Sequence, residues 1–127
     1  MIFGIGTDIV SHSRIKAMHE HYGERAAQRI LSPQEFHEYA TSKDPARLLM
    51  KRFAAKEALA KAAGSGLRYP VTLQRISVTH DSSGKPAFAF DEELAAHFRH
   101  LGVAHHHLSI SDEHETAVAF VILEGKN

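Results

Sequence analysis

Lys51-Arg52-Phe53-Ala54-Ala55-Lys56-Glu57-Ala58-Leu59-Ala60-Lys61-Ala62-Ala63-Gly64-Ser65-Gly66 is a strong helix former stopped by a Gly-x-Gly. One carboxylate, Glu57, stands in it among four cations. An acid in a basic, alanine-lined helix suggests a metal ion held on a phosphorylated ligand, with the cations on phosphate oxygens. Arg52, Lys56 and Lys61 are expected to project, while Leu48, Leu49, Phe53, Leu59 and the alanines pack. Glu57 and Lys61 are spaced i,i+4. That spacing suits either a surface ion pair stabilising by ~0.3–0.5 kcal/mol or a shared face on which Glu57 takes metal and Lys61 takes phosphate.

Upstream, residues 2–10 are apolar and β-branched with two glycines, the pattern of a buried strand. Alternation places Ile2, Gly4, Gly6, Asp8 and Val10 on one face. The glycines leave a gap beside Asp8 that admits a ligand or another stretch of backbone. Asp8 and Glu57 together offer two hard oxygen ligands. Mg²⁺ suits such a pair, because it completes its shell with phosphate and water.

Between these segments, Ser11 or Ser13 caps a helix to about Tyr22, where Gly23 interrupts it, and a short helix spans 24–30. Ser32-Pro33-Gln34-Glu35 is a capping box, and Asp44-Pro45 starts the long helix. Arg14, Met18, His21, Tyr22 and Arg25 form one stripe if the first helix continues past Gly23, and Arg29 extends it. The stripe suits an acidic amphipathic helix, or else it is a solvated face with Met18 turned to the core.

Downstream, 75–81 and Pro86–Phe90 form strands around a Ser82–Lys85 turn, and Asp91–Leu101 is a helix closed by Gly102. His105–Ser111 and Thr116–Leu123 pair as a hairpin. The last strand is apolar on both faces, so helices cover one and a neighbouring subunit could cover the other. The expected class is α+β, helices packed on a small antiparallel sheet, with residues 1–127 as one domain.

Fifteen basic and fifteen acidic residues give zero net charge, so no global field favours nucleic acid or membrane. No apolar run approaches the ~20 residues of a membrane helix, and no cleavable leader is evident; a cytoplasmic protein is expected. The absence of cysteine excludes disulfides and thiolate chemistry. Eleven histidines include His105-His106-His107, but neighbours on a strand point to opposite faces and cannot converge on one ion.

Gly4-Ile5-Gly6-Thr7-Asp8-Ile9-Val10 with Arg14-Ile15 resembles the first signature of the holo-acyl-carrier-protein synthases, small 4′-phosphopantetheinyl transferases. Arg52-Phe53-Ala54-Ala55-Lys56-Glu57-Ala58, with Lys61 and Gly64-Ser65-Gly66, is similar to the second. Gly84-Lys85-Pro86 and His107–Ser111 follow in family order, so the likeness covers essentially the whole chain.

The resemblance implies the 4′-phosphopantetheinyl transferase-like fold and transfer of the phosphopantetheine arm from coenzyme A to a serine of apo-acyl carrier protein, for fatty acid biosynthesis. It also implies a Mg²⁺-dependent homotrimer with sites between adjacent subunits. Asp8 and Glu57 are then the metal ligands, and Lys61 contacts phosphate. Arg52, Gly64, Ser65, Gly66 and Pro86 surround the nucleotide, and Arg14, Met18, Tyr22 and Arg25 receive the carrier protein. Asp8, or a metal-held water that it orients, ranks first as the base for the serine and Glu57 second. The rival is a non-catalytic module binding coenzyme A or a carrier protein, which Mg²⁺-dependent turnover would separate. Two departures stand out: Asp112 follows Ser111 where the family often has histidine, and Ser65 replaces the usual threonine.

Overall fold

The computed structural model describes residues 1–126. Strand β1 (Ile2–Ser11) leads into α1 (His12–Tyr22), α2 (Glu24–Ile30), α3 (Pro33–Thr41) and the long α4 (Pro45–Ala63). A 3₁₀ turn at Leu73–Arg75 precedes the hairpin β2 (Ile76–His80) and β3 (Pro86–Phe90). Helix α5 (Glu92–Leu101), β4 (Val103–Asp112) and β5 (Thr116–Gly125) complete the fold. The expected α+β class holds, with the antiparallel strands divided between a β1-β5-β4 sheet and the separate β2-β3 hairpin.

Local chemistry sets most boundaries. The side chains of Ser11, Asp44 and Asp91 accept from the backbone N–H of Arg14, Arg47 and Leu94, satisfying donors at three helix starts. Ser32 and Glu35 close a reciprocal capping box on α3. Gly23 breaks the first helix at φ 59°, so α1 and α2 are separate. The stripe therefore runs across two helices rather than along one.

Helix α4 lies directly on β1. A Cβ at Gly4 would sit 2.0 Å from the carbonyl oxygen of Ala62, and one at Gly6 would sit 2.0 Å from that of Ala58. The gap left by the two glycines is filled by helix backbone, the second of the two occupants the sequence allows. The core forms where α4 meets the sheet, and Ala117, Ala119, Val121 and Leu123 of the central strand β5 are all buried.

The opposite sheet face carries Phe3, Ile5, Ile9, Val118 and Phe120, all exposed. Cross-strand neighbours Ile5–Ile122 and Ile9–Val118 make it a continuous apolar surface. No helix among the described residues is long and apolar enough to cross a membrane.

Arg52 and Lys56 do not project as expected; both are buried. Helix α4 is enclosed by β1, β5, α1 and α2, and Glu35 supplies an internal carboxylate that pairs with both cations. Such burial requires pairing, since an uncompensated charge in the interior costs several kcal/mol.

Candidate active site

Asp8 follows Gly4 and Gly6 on the β1 face that α4 covers. The close approach permitted by the glycines, which face Ala62 and then Ala58, carries Asp8 towards the middle of α4. Lys61 Nζ donates to Asp8 Oδ1 at 3.0 Å and to the carbonyl of Thr7 at 3.1 Å. Lys61 therefore pairs across elements, not with Glu57 on its own helix.

Glu57, partly buried, has its pKa raised, first by desolvation and then by the negative charge of Asp8; Lys61 and Arg14 pull it partly back. These mutual effects place Asp8, Glu57, Lys61 and Arg14 in one electrostatic neighbourhood. Two carboxylates whose charges oppose each other suit a shared divalent cation, and hard oxygen donors suit Mg²⁺. Among the described residues no group of three His, Cys, Asp or Glu could hold a metal alone. A metal here would draw its remaining ligands from water and a phosphorylated substrate.

Arg14, whose charge acts on Glu57, also lines a cavity of about 280 Å³ together with Met18, Tyr22, Arg25, Phe53 and Leu73, among others. Of the stripe read in the sequence, Arg14, Met18, Tyr22, Arg25 and Arg29 line it and His21 does not. The Arg14 guanidinium carbon lies 5.6 Å from the Phe53 ring centroid, which holds the charge at the groove's edge. Met18 is half-buried; it packs on the core and also lines the groove.

Behind the groove lies a polar centre that the sequence does not reveal. Lys56 Nζ donates to Glu35 Oε1 at 2.5 Å, to the Ile30 carbonyl at 2.8 Å and to the Leu73 carbonyl at 2.9 Å. Glu35 also accepts from the backbone N–H of Ser32 and Val78 and from Arg52. Burial lowers the Lys56 pKa to about 8, and Glu35 opposes that shift. Arg52 further binds Glu38, whose carboxyl is held below its ordinary range chiefly by that hydrogen bond. Ser32-x-x-Glu35 was visible as a cap, but nothing local shows that its carboxylate is buried against two cations.

The remaining predicted residues lie elsewhere. Gly64, Ser65 and Gly66 form an exposed turn beyond α4, with φ 82° at Gly64 and 67° at Gly66, a region open to glycine at little cost. Arg52 borders a depression with Arg47, Lys51 and His80. Pro86 lines another with Lys85, His106 and His107, and that depression includes neither Asp8 nor Glu57. Asp112 pairs with Arg47 at 2.9 Å and with Lys51 at 3.7 Å, while Arg47 also donates to the carbonyls of Glu113 and His114. Arg47 thereby fastens the β4–β5 turn to α4.

The family model described as the 4′-phosphopantetheinyl transferase superfamily matches residues 4–120. The holo-[acyl-carrier-protein] synthase of Nitrosospira multiformis is 59% identical over 124 residues, spanning 98% of this chain and 99% of that one. Among solved structures, the holo-[acyl-carrier-protein] synthase from Neisseria meningitidis superposes with a TM-score of 0.95 at 45% identity, covering 98% and 99% of the two chains. That from Bacillus anthracis, in complex with CoA (3′,5′-ADP), gives 0.80 at 35% identity over 99% of each.

Proposed function

Since the chain belongs to the holo-[acyl-carrier-protein] synthases of the 4′-phosphopantetheinyl transferase superfamily, we propose that it moves the 4′-phosphopantetheine group of coenzyme A onto a serine of apo-acyl carrier protein. The products are the holo carrier and adenosine 3′,5′-bisphosphate, and the reaction serves fatty acid biosynthesis in the cytoplasm. The observation that carries this is the meeting of Asp8, Lys61 and Glu57 beside a groove rimmed by Arg14 and Arg25. Anion-handling groups and a basic docking groove thus adjoin within one domain.

Asp8 and Glu57 would hold Mg²⁺, which when bound neutralises the coenzyme A pyrophosphate and the departing bisphosphate. Lys61, half exposed next to Asp8, is placed to turn its ammonium towards phosphate oxygens. Arg14 and Arg25 attract an acidic helix, while Met18, Tyr22 and Phe53 offer it apolar contact. The carrier serine Oγ–P bond forms as the P–O bond to the bisphosphate breaks, and the serine proton passes to a carboxylate. Asp8 is the first candidate for that acceptor and Glu57 the second.

Arg52, Gly64, Ser65, Gly66 and Pro86 are assigned to the coenzyme A side. Pro86 lines a depression apart from the carboxylates of its own chain. This supports a site shared between adjacent copies in a homotrimer, with the exposed apolar sheet face covered by neighbours.

Intact-mass spectrometry of an apo-acyl carrier protein incubated with this chain, coenzyme A and Mg²⁺ tests the proposal. A phosphopantetheine-sized gain that EDTA prevents supports it. No gain across several carriers, with coenzyme A bound, favours the non-catalytic binding module.

A further inference from the structure

Lys56 precedes Glu57 in sequence, yet its ammonium is buried on the far side of the groove wall. Its three contacts come from three different places: the end of α2 at Ile30, the 3₁₀ turn at Leu73 and the start of α3 at Glu35. Ile30 and Leu73 both line the groove that holds Arg14, Met18, Tyr22 and Arg25. Glu35 in turn gathers Ser32, Val78 and Arg52, so α3, β2 and a second point on α4 join the same network. An ammonium has three donors, and here each has an acceptor between 2.5 and 2.9 Å. Moving Ile30 or Leu73 relative to α4 would break a charge-assisted hydrogen bond in the interior, where its loss is costly.

We propose that Lys56, held by Glu35, is a positioning residue that fixes the carrier groove relative to the Asp8–Glu57 carboxylates. This inference deepens the proposed function and rests on it. A buried, saturated ammonium has no route to substrate, so Lys56 acts through Ile30 and Leu73 on one side and through its neighbour Glu57 on the other. Transfer needs the carrier serine placed to within a fraction of an ångström, and a misplacement of about 1 Å can cost on the order of a hundredfold in rate.

The test is the double variant Lys56→Met with Glu35→Gln. Removing both charges avoids stranding one buried ion, the change that most endangers the fold. Two readouts are taken well below the melting temperature. In steady-state transfer the inference expects kcat to fall by about tenfold or more, with KM for coenzyme A and for the carrier within about twofold. In amide hydrogen exchange it expects faster exchange at residues 27–31 and 71–75, with β1 and β5 unchanged. An unchanged kcat, or exchange that rises evenly through the chain, overturns it and leaves the pair a general stabiliser. Should the parent show no transfer, the functional reading fails, and the exchange pattern alone decides the coupling. If the double variant does not fold, Glu35→Asp keeps the charge and shortens the reach by one methylene, and the same readouts apply. Failure of both variants to fold overturns the positioning role by making the pair a folding requirement.

Discussion

Lys61 reaches from α4 to β1 and donates to Asp8 at 3.0 Å, although Glu57 stands one helical turn away on its own helix. The pairing sets a cation where a metal would otherwise bind, while burial and then the charge of Asp8 make Glu57 protonate more readily than an ordinary glutamate, a shift that Lys61 partly opposes. Lys61→Ala is expected to bind Mn²⁺ at least as tightly as the parent when coenzyme A is absent, because a competing charge has gone. Transfer should nonetheless slow by about tenfold or more, since phosphate loses a cation. Calorimetric titration and initial rates measure the two effects, and weaker metal binding would contradict this arrangement.

Gly6→Ala is expected to destabilise by about 3 kcal/mol, the upper part of the usual overpacking range, because its Cβ would meet the carbonyl oxygen of Ala58 at 2.0 Å. Thermal denaturation should show a melting temperature lowered by about 10 °C. An unchanged value would mean that α4 need not lie so close to β1.

Charge reversal in the groove separates docking from chemistry. Arg25→Glu should raise KM for the carrier protein by more than about tenfold while KM for coenzyme A stays within about twofold. Arg14→Glu should do the same and also slow turnover, because the charge of Arg14 acts on Glu57 as well. Equal effects on both substrates would leave the groove a support for the fold.

The raised Glu57 pKa predicts a pH effect in the metal-free protein. The folded chain binds this proton more tightly than the unfolded chain does. Its contribution to stability is therefore lost as pH rises from the unfolded value through the folded one. Glu57→Gln removes that loss, so denaturant melts should show the variant gaining on the parent as pH climbs through this window. A gap independent of pH would contradict the shift.

Much of the fold is legible because its signals are local. Ser11, Ser32, Asp44 and Asp91 cap the helices they precede, and Gly64 and Gly102 end theirs in the left-handed conformation. The alternation of β5 shows which side chains are buried and which outer face is apolar. Helix α4 is different. Alanines on every side remove the contrast that would orient it, so sequence cannot tell that Arg52 and Lys56 turn inward and Lys61 outward. Asp8 and Glu57 were recognisable as a pair, but the part played by Gly4 and Gly6 was not, because a gap in a strand has the same sequence whether ligand or backbone fills it. Glu35 escaped for a related reason: its cap is local, while its two buried cations come from another helix.

The most direct test of the central claim is the initial rate of Asp8→Asn, followed by intact mass on apo-acyl carrier protein with coenzyme A and Mg²⁺, its fold checked by circular dichroism. Because Asn keeps the shape and removes the charge shared with Glu57 and Lys61, the variant should fold as the parent does and lose at least about a hundredfold in rate. A rate near that of the parent would remove Asp8 from the chemistry and contradict the assignment of this carboxylate pair as the active site.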